Sequence, residues 1–190
     1  MGFAREQLLA YRGTHIDDLI GRDCGLLFVG INPGLWSAAA GAHFARPGNR
    51  FYPALYRAGI TDHLIDASAS MDPADREYLV AKGIGITNVV SRATATAAEL
   101  SKDELHSGGK RLRELVARVT PRVVAILGIT AYRSAFGDRT ATVGLQPETA
   151  DWSGAAVWVV PNPSGLNAHE TVDSLAAAYR RVALAAGVIT

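Results

Sequence analysis

The 190-residue chain reads as an α/β domain whose mainly parallel sheet is covered by helices on both faces. Four short apolar runs stand out: residues 26–31 (LLFVGI), 84–90, 123–129 (VVAILGI) and 156–160 (AVWVV). They are continuous rather than alternating, which is the signature of strands buried on both sides. Segments with helix signals separate them, and strands alternating with helices imply crossover connections and parallel pairing. Composition supplies the third observation. Hydrophobic residues make up 48% and charged residues 19%, enough for a packed core and incompatible with disorder; the length fits one domain.

The first strand, 26–31, ends in a turn. A polar, glycine-bearing stretch from Asn32 to Asn49 follows and is expected as a loop, longer than ordinary connections and so a candidate functional segment. Residues 51–58 look helical. Asp72-Pro73 opens the next helix, with Asp72 as cap and Pro73 at the first helical position; Gly83 stops it. The second strand is 84–90. Ser101-Lys-Asp-Glu104 is a capping box that predicts a helix over 102–119, with Gly108-Gly109 weakening its middle and Pro121 closing the region. The third strand, 123–129, leads to a short helix near 131–136. The fourth strand, 156–160, precedes a final helix over 171–186 that stops at Gly187. Residues 1–25 are expected as an N-terminal helical extension to a single domain spanning 26–190.

Charge and cysteine content exclude several classes. Nineteen basic against eighteen acidic residues leave a formal charge of +1, which rules out a histone-like protein but not a local basic face. No apolar run approaches the roughly 18–20 residues of a membrane span. The N-terminus is charged throughout and lacks the apolar stretch of a secretory signal. Met-Gly at the start is not a myristoylation site, because Glu6 stands where Ser or Thr is needed. Cys24 is alone, so neither a disulfide framework nor a zinc cage can form, and the cell interior is the expected compartment. Of His15, His43, His63, His106 and His169, none shows metal-ligand spacing, and most are expected at the surface.

In parallel sheets the working residues lie beyond the carboxyl ends of the strands. The first strand runs into Gly30-Ile31-Asn32-Pro33-Gly34. Pro33 restricts Asn32 to extended geometry, so this is either a rigidly held amide or an ordinary turn. It is not a phosphate loop, since the Lys-Ser/Thr ending is absent. The second strand runs into Asn88, by itself a hydrogen-bonded loop residue. The fourth runs into Pro161-Asn162-Pro163-Ser164-Gly165-Leu166-Asn167, where Leu166 is either a core residue or an exposed wedge for a base stack. In the long loop, Phe44 beside Arg46 and Arg50 suits a stacking platform with phosphate contacts, or a pin to the core. No G-x-S-x-G elbow and no G-x-G-x-x-G fingerprint is present.

Taken together, GINPG, PGNRFY, GITN and NPSGLN resemble the mismatch-specific uracil-DNA glycosylases, relatives of thymine-DNA glycosylase. GINPG and NPSGL stand roughly 130 residues apart, and ELSKDELHSGGKRL and the Ala125–Gly128 strand are similar to the family in order and spacing. The resemblance runs from about residue 26 to 182. It implies a three-layer α/β/α sandwich with a short central sheet, and hydrolysis of the N-glycosidic bond of a mispaired or damaged base to leave an abasic site. It implies that Asn32 holds the attacking water and that Phe44 stacks on the extruded base. Ile31, Ser37, Asn88 and Asn162 complete the base pocket, with Ser37 facing carbon 5 of the pyrimidine and Asn162 where more active relatives carry histidine. Ser164, Gly165, Leu166 and Asn167 form the loop that enters the duplex and contacts the widowed guanine. Two departures stand out: Ala168 and His169 replace an arginine common after the wedge, and the role of Trp36 is not derivable.

An amide has no useful pKa near neutrality, so Asn32 can orient water but not deprotonate it. Bond cleavage is then expected to run ahead of water attack, with good leaving groups favoured: uracil, 5-substituted uracils, ethenocytosine and thymine as candidates. Arg46, Arg50, Lys110 and Arg111 are candidate phosphate contacts, each weighed against a solvated surface residue. No metal and no cofactor is expected. The expected partner is double-stranded DNA with a mispaired or damaged base, acted on by a monomer in the bacterial cytoplasm with the nucleoid. The rival readings are a relative directed at hypoxanthine or xanthine, and a non-catalytic module that binds damaged DNA.

Overall fold

A computed structural model describes residues 2–147 and 150–190. Five strands form one sheet in the order β2-β1-β3-β5-β4: β1 (Leu26–Gly30), β2 (Ile84–Asn88), β3 (Val123–Leu127), β4 (Gly144–Leu145) and β5 (Ala156–Val160). All pairings are parallel except β4 against β5. The two-residue β4 was not expected; GL carries no strand signal and pairs only because β5 offers an open edge.

β1 and β3 are buried along their full length, and their residues divide between two cores. Leu26 and Phe28 of β1 pack with helices α3 (Phe51–Arg57), α4 (Pro73–Ala81) and α7 (Val172–Ala186), where Phe28 meets Phe51 and Tyr179 with ring centroids 5.2 and 5.6 Å apart. Leu27 and Val29 face the opposite way, toward α5 (Lys102–Val119) and α6 (Ile129–Phe136). That alternation across the pleat produces the three layers.

The helix signals act as expected at several ends. Asp72 accepts a bond from the Ala74 N–H at 2.8 Å. Ser101 and Glu104 exchange reciprocal cap bonds of 2.9 and 3.1 Å. Gly187 closes α7 at φ +64°. The strands end earlier than their apolar runs suggest. Gly128 adopts φ +116°, which ends β3 and turns the chain directly into α6. Gly108 and Gly109 are close-approach positions rather than weak points: a Cβ would lie 2.3 Å from the Val89 oxygen and 2.7 Å from the Ala135 oxygen. They let α5 lie against the end of β2 and against α6.

Two segments differ from expectation. The stretch after β1 contains a six-residue helix, α2 (Leu35–Ala40), without a side-chain cap and ended by Gly41 at φ +62°. Its LWSAAA sequence is too short for a period to register. In place of the helical extension expected over residues 1–25, the described residues 2–25 hold only the short helix α1 (Arg5–Leu9); beyond it the chain lies along β2, and Leu19 exchanges main-chain bonds with Ile86 at 2.9 and 2.7 Å. Leu19 is buried in the core, so this stretch closes the sheet edge. Trp36 donates from Nε1 to the Ser68 carbonyl at 2.7 Å and meets Phe3 edge-on, tying α2 to its surroundings. Among the described residues no helix is long and apolar enough to cross a membrane.

Candidate active site

A cavity of about 320 Å³ opens beyond the carboxyl ends of β1, β2, β3 and β5. The register explains why the three asparagines meet there. Gly30 pairs with Asn88, so β1 and β2 end at one level, and β3 carries β5 and Asn162 alongside. Ile31, Asn32, Ser37, Phe44, Arg46, Asn88, Asn162, Ser164 and Leu166 all line the cavity. Among the described residues no carboxylate lines it.

Asn32 is half-buried and its amide orientation is determined. Nδ2 donates to the Arg92 carbonyl at 3.0 Å, the Thr94 hydroxyl at 2.7 Å and the Pro33 carbonyl at 3.1 Å. Two of these partners are carbonyls, which only accept, so the nitrogen must face them. Thr94 directs its own proton to the Thr96 carbonyl at 2.8 Å, which leaves a lone pair for Asn32. Oδ1 has no partner among the described residues. The loop carrying Arg92 and Thr94 is braced in turn: Arg92 Nε donates to Glu104 at 2.8 Å, holding that carboxyl well below the usual range, and Arg12 pairs with Glu99.

Asn88 is buried, with Nδ2 3.0 Å from Nδ1 of His43. His43 Nε2 lies 3.1 Å from the Asp17 carbonyl. His43 is 5% exposed, contrary to the expectation of surface histidines; burial pushes its pKa down to about 4. Arg111 donates to the carbonyls of Asn88 and Val89, both at 2.9 Å. Phe44 sits at φ +56°, an uncommon conformation for a side-chain-bearing residue. Its ring packs on Phe51 at 4.2 Å and 31°. Gly30 makes this assembly possible, since a Cβ there would lie 2.5 Å from Asn88 Oδ1 and 3.3 Å from the Phe44 ring. Ser37 is buried at the wall and accepts from the Ala45 N–H at 3.3 Å. Asn162 uses Oδ1 to accept from the Ser164 N–H at 2.9 Å, which leaves its amide N–H groups as the available donors.

Leu166 is not a core residue: it is 78% exposed, at the cavity mouth. Its loop is tightly held. Gly165 approaches so closely that a Cβ would stand 2.5 Å from the Gly48 oxygen. Asn167 is turned inward, with Nδ2 3.3 Å from the Asn162 carbonyl and Oδ1 accepting from the His169 N–H at 3.3 Å. Arg50 departs from the expected phosphate role. Its guanidinium donates to the carbonyls of Ser164, Asn167 and Glu170, and its main-chain N–H to that of Pro163 at 2.9 Å. Arg111 also donates to main-chain carbonyls, those of Asn88 and Val89, while its side chain stays exposed. Of the four basic candidates, Arg46, Lys110 and Arg111 are exposed and Arg50 is half-buried, and only Arg46 lines the cavity.

Sequence reasoning missed Thr94, His43 and Gly30. The first two stand on separate elements from the asparagines they orient, and no local pattern signals them. Among the described residues no cluster of His, Cys, Asp or Glu could hold a metal ion.

The family model described as the uracil DNA glycosylase superfamily matches residues 18–184. The solution structure of a protein from Methanosarcina acetivorans, provisionally described as a uracil DNA glycosylase, superposes with a TM-score of 0.56 at 19% identity, covering 90% of this chain and 98% of that one. At that identity the likeness speaks to the fold.

Proposed function

The chain belongs to the uracil DNA glycosylase superfamily, and from that premise we propose that it is a monofunctional DNA glycosylase that removes a mispaired or damaged pyrimidine, foremost uracil opposite guanine, from duplex DNA. A stacked base is out of reach, so the target rotates out, at a cost of a few kcal/mol that is least for a mispair. Leu166 fills the vacancy, and Phe44 offers a ring face to the extruded base. Asn88 and Asn162 hold its polar edge. Such preorganised neutral groups each lower the barrier to a departing anion by about 3–4 kcal/mol.

The observation that carries this reading is the fixed amide of Asn32. Three acceptors hold its nitrogen, and its oxygen is left to a cavity that no carboxylate lines among the described residues. With the one lone pair of the His43 ring turned to Asn88 and no carboxylate among the described lining residues, the glycosidic bond breaks first, and the Asn32 oxygen orients water toward the oxocarbenium-like sugar. Water then adds to the anomeric carbon, its proton is released to solvent, and the base departs as an anion.

The test is alkali or heat cleavage of a G·U duplex after incubation. The wild-type chain leaves an alkali-labile abasic site. Asn32→Ala reduces single-turnover excision by about 10²–10³-fold, the range for loss of one preorganised polar group, with an unchanged fold. Binding of the duplex without any abasic product would instead establish a damage-binding module. A panel of single-lesion duplexes separates uracil from hypoxanthine and xanthine.

A further inference from the structure

We infer that His43 is a positioning residue that fixes the Asn88 amide with its oxygen toward the base pocket, so that the site selects bases carrying a ring N–H beside a carbonyl and rejects cytosine. The inference rests on the reading of the cavity as a base pocket, and it names the residue that sets that pocket's selectivity.

The argument follows from proton bookkeeping along one chain of bonds. The Asp17 main-chain carbonyl can only accept, so His43 Nε2, 3.1 Å away, carries the hydrogen. A neutral imidazole has only one ring proton, so Nδ1 presents a lone pair. Asn88 must therefore approach Nδ1 with its nitrogen, at 3.0 Å, and its oxygen faces the other way. That oxygen lies over Gly30, 2.5 Å from where a Cβ would stand, and Gly30 lines the cavity. Oδ1 has no partner among the described residues, so it is an acceptor offered to a ligand. The ring is anchored further by the Tyr52 hydroxyl, which donates to the His43 carbonyl at 2.9 Å.

Across the cavity, Asn162 offers the complementary group. Its Oδ1 is occupied by the Ser164 N–H, so only donors remain. An acceptor on one wall and a donor on the other match a lactam edge, in which N–H adjoins C=O. Cytosine presents an unprotonated ring nitrogen to Asn88, and two acceptors would then face each other. Were the imidazole reversed or lost, the Asn88 amide could rotate and the selectivity would relax.

Two measurements test this. In the folded wild-type chain at pH 7, ¹⁵N spectra of labelled histidine should show one ring, lost in His43→Gln, that is neutral with Nε2 protonated; a protonated Nδ1 overturns the inference whether or not the chain has glycosylase activity. The second uses duplexes with non-cleavable 2′-fluoroarabino uridine or cytidine opposite an abasic-site analogue. Wild type prefers the uracil duplex. His43→Leu narrows the ratio of the two dissociation constants by about 10–100-fold. His43→Gln, whose carbonyl can accept from Asn88 while its amide donates to Asp17, restores it. A wild-type ratio in His43→Leu overturns the inference, as does failure of the glutamine to restore discrimination that the leucine has lost. Absence of any uracil preference in wild type counts against the base-pocket reading itself.

Discussion

Arg50→Ala is the perturbation whose consequence is most directly computable. The guanidinium donates to the carbonyls of Ser164, Asn167 and Glu170, the Asn167 contact being 2.7 Å. A hydrogen bond from a charged donor contributes about 1.5–3 kcal/mol, but these carbonyls border solvent and water replaces part of what is lost. A net loss of about 2–4 kcal/mol in ordering of residues 163–170 follows. If that order holds Leu166 at the base step, excision from duplex falls by about 30- to 900-fold. Excision from a single strand, which needs no wedge, changes little. The assay is single-turnover release of uracil from one labelled strand, alone or paired to give G·U, with amide exchange of residues 163–170 measured in parallel. Arg50→Lys, reaching fewer carbonyls, should fall between. Loss of amide protection with an unaltered duplex-to-single-strand ratio would refute the link between clamp and wedge. Unaltered protection would refute the clamp itself.

The other predictions are narrower. Leu166→Ala should lower duplex excision about tenfold more than single-strand excision, since the few kcal/mol of unstacking arise only in the duplex; equal losses on both substrates remove the wedge role. Thr94→Val takes away one acceptor that holds Asn32, and a small misplacement there should reduce turnover by about 10–100-fold with duplex affinity unchanged; wild-type single-turnover rates would show that the two carbonyls suffice. His43 also confers a pH dependence on stability. Its pKa is 6.5 unperturbed and about 4 in the fold, so between those values the unfolded chain binds the extra proton. Its contribution is therefore fully present above pH 6.5 and is lost as pH falls toward 4, by about 3 kcal/mol in total. Chemical denaturation from pH 7 to 4 should show a shallower decline in His43→Gln than in wild type; parallel curves would contradict the burial argument.

The alternation of apolar runs with capped helices, such as Asp72-Pro73 and Ser101-x-x-Glu104, was enough to specify the layered parallel domain, because burial periodicity and cap chemistry are local properties. The strand-end asparagines were visible for the same reason: a parallel sheet puts its loops at one end, and Asn32, Asn88 and Asn162 stand at the carboxyl ends of three of its strands. What each side chain does there was not visible. Arg50 and Arg46 have the same local character in PGNR and ARPG, yet one holds the loop over residues 163–170 and the other stands exposed at the mouth. His43 has no more local signal than His106, yet it is buried between Asp17 and Asn88. Leu166 could have been core or surface. These outcomes depend on partners separated by tens of residues, and direction of a donor, an acceptor or a lone pair is decided only when packing brings those partners within hydrogen-bonding distance.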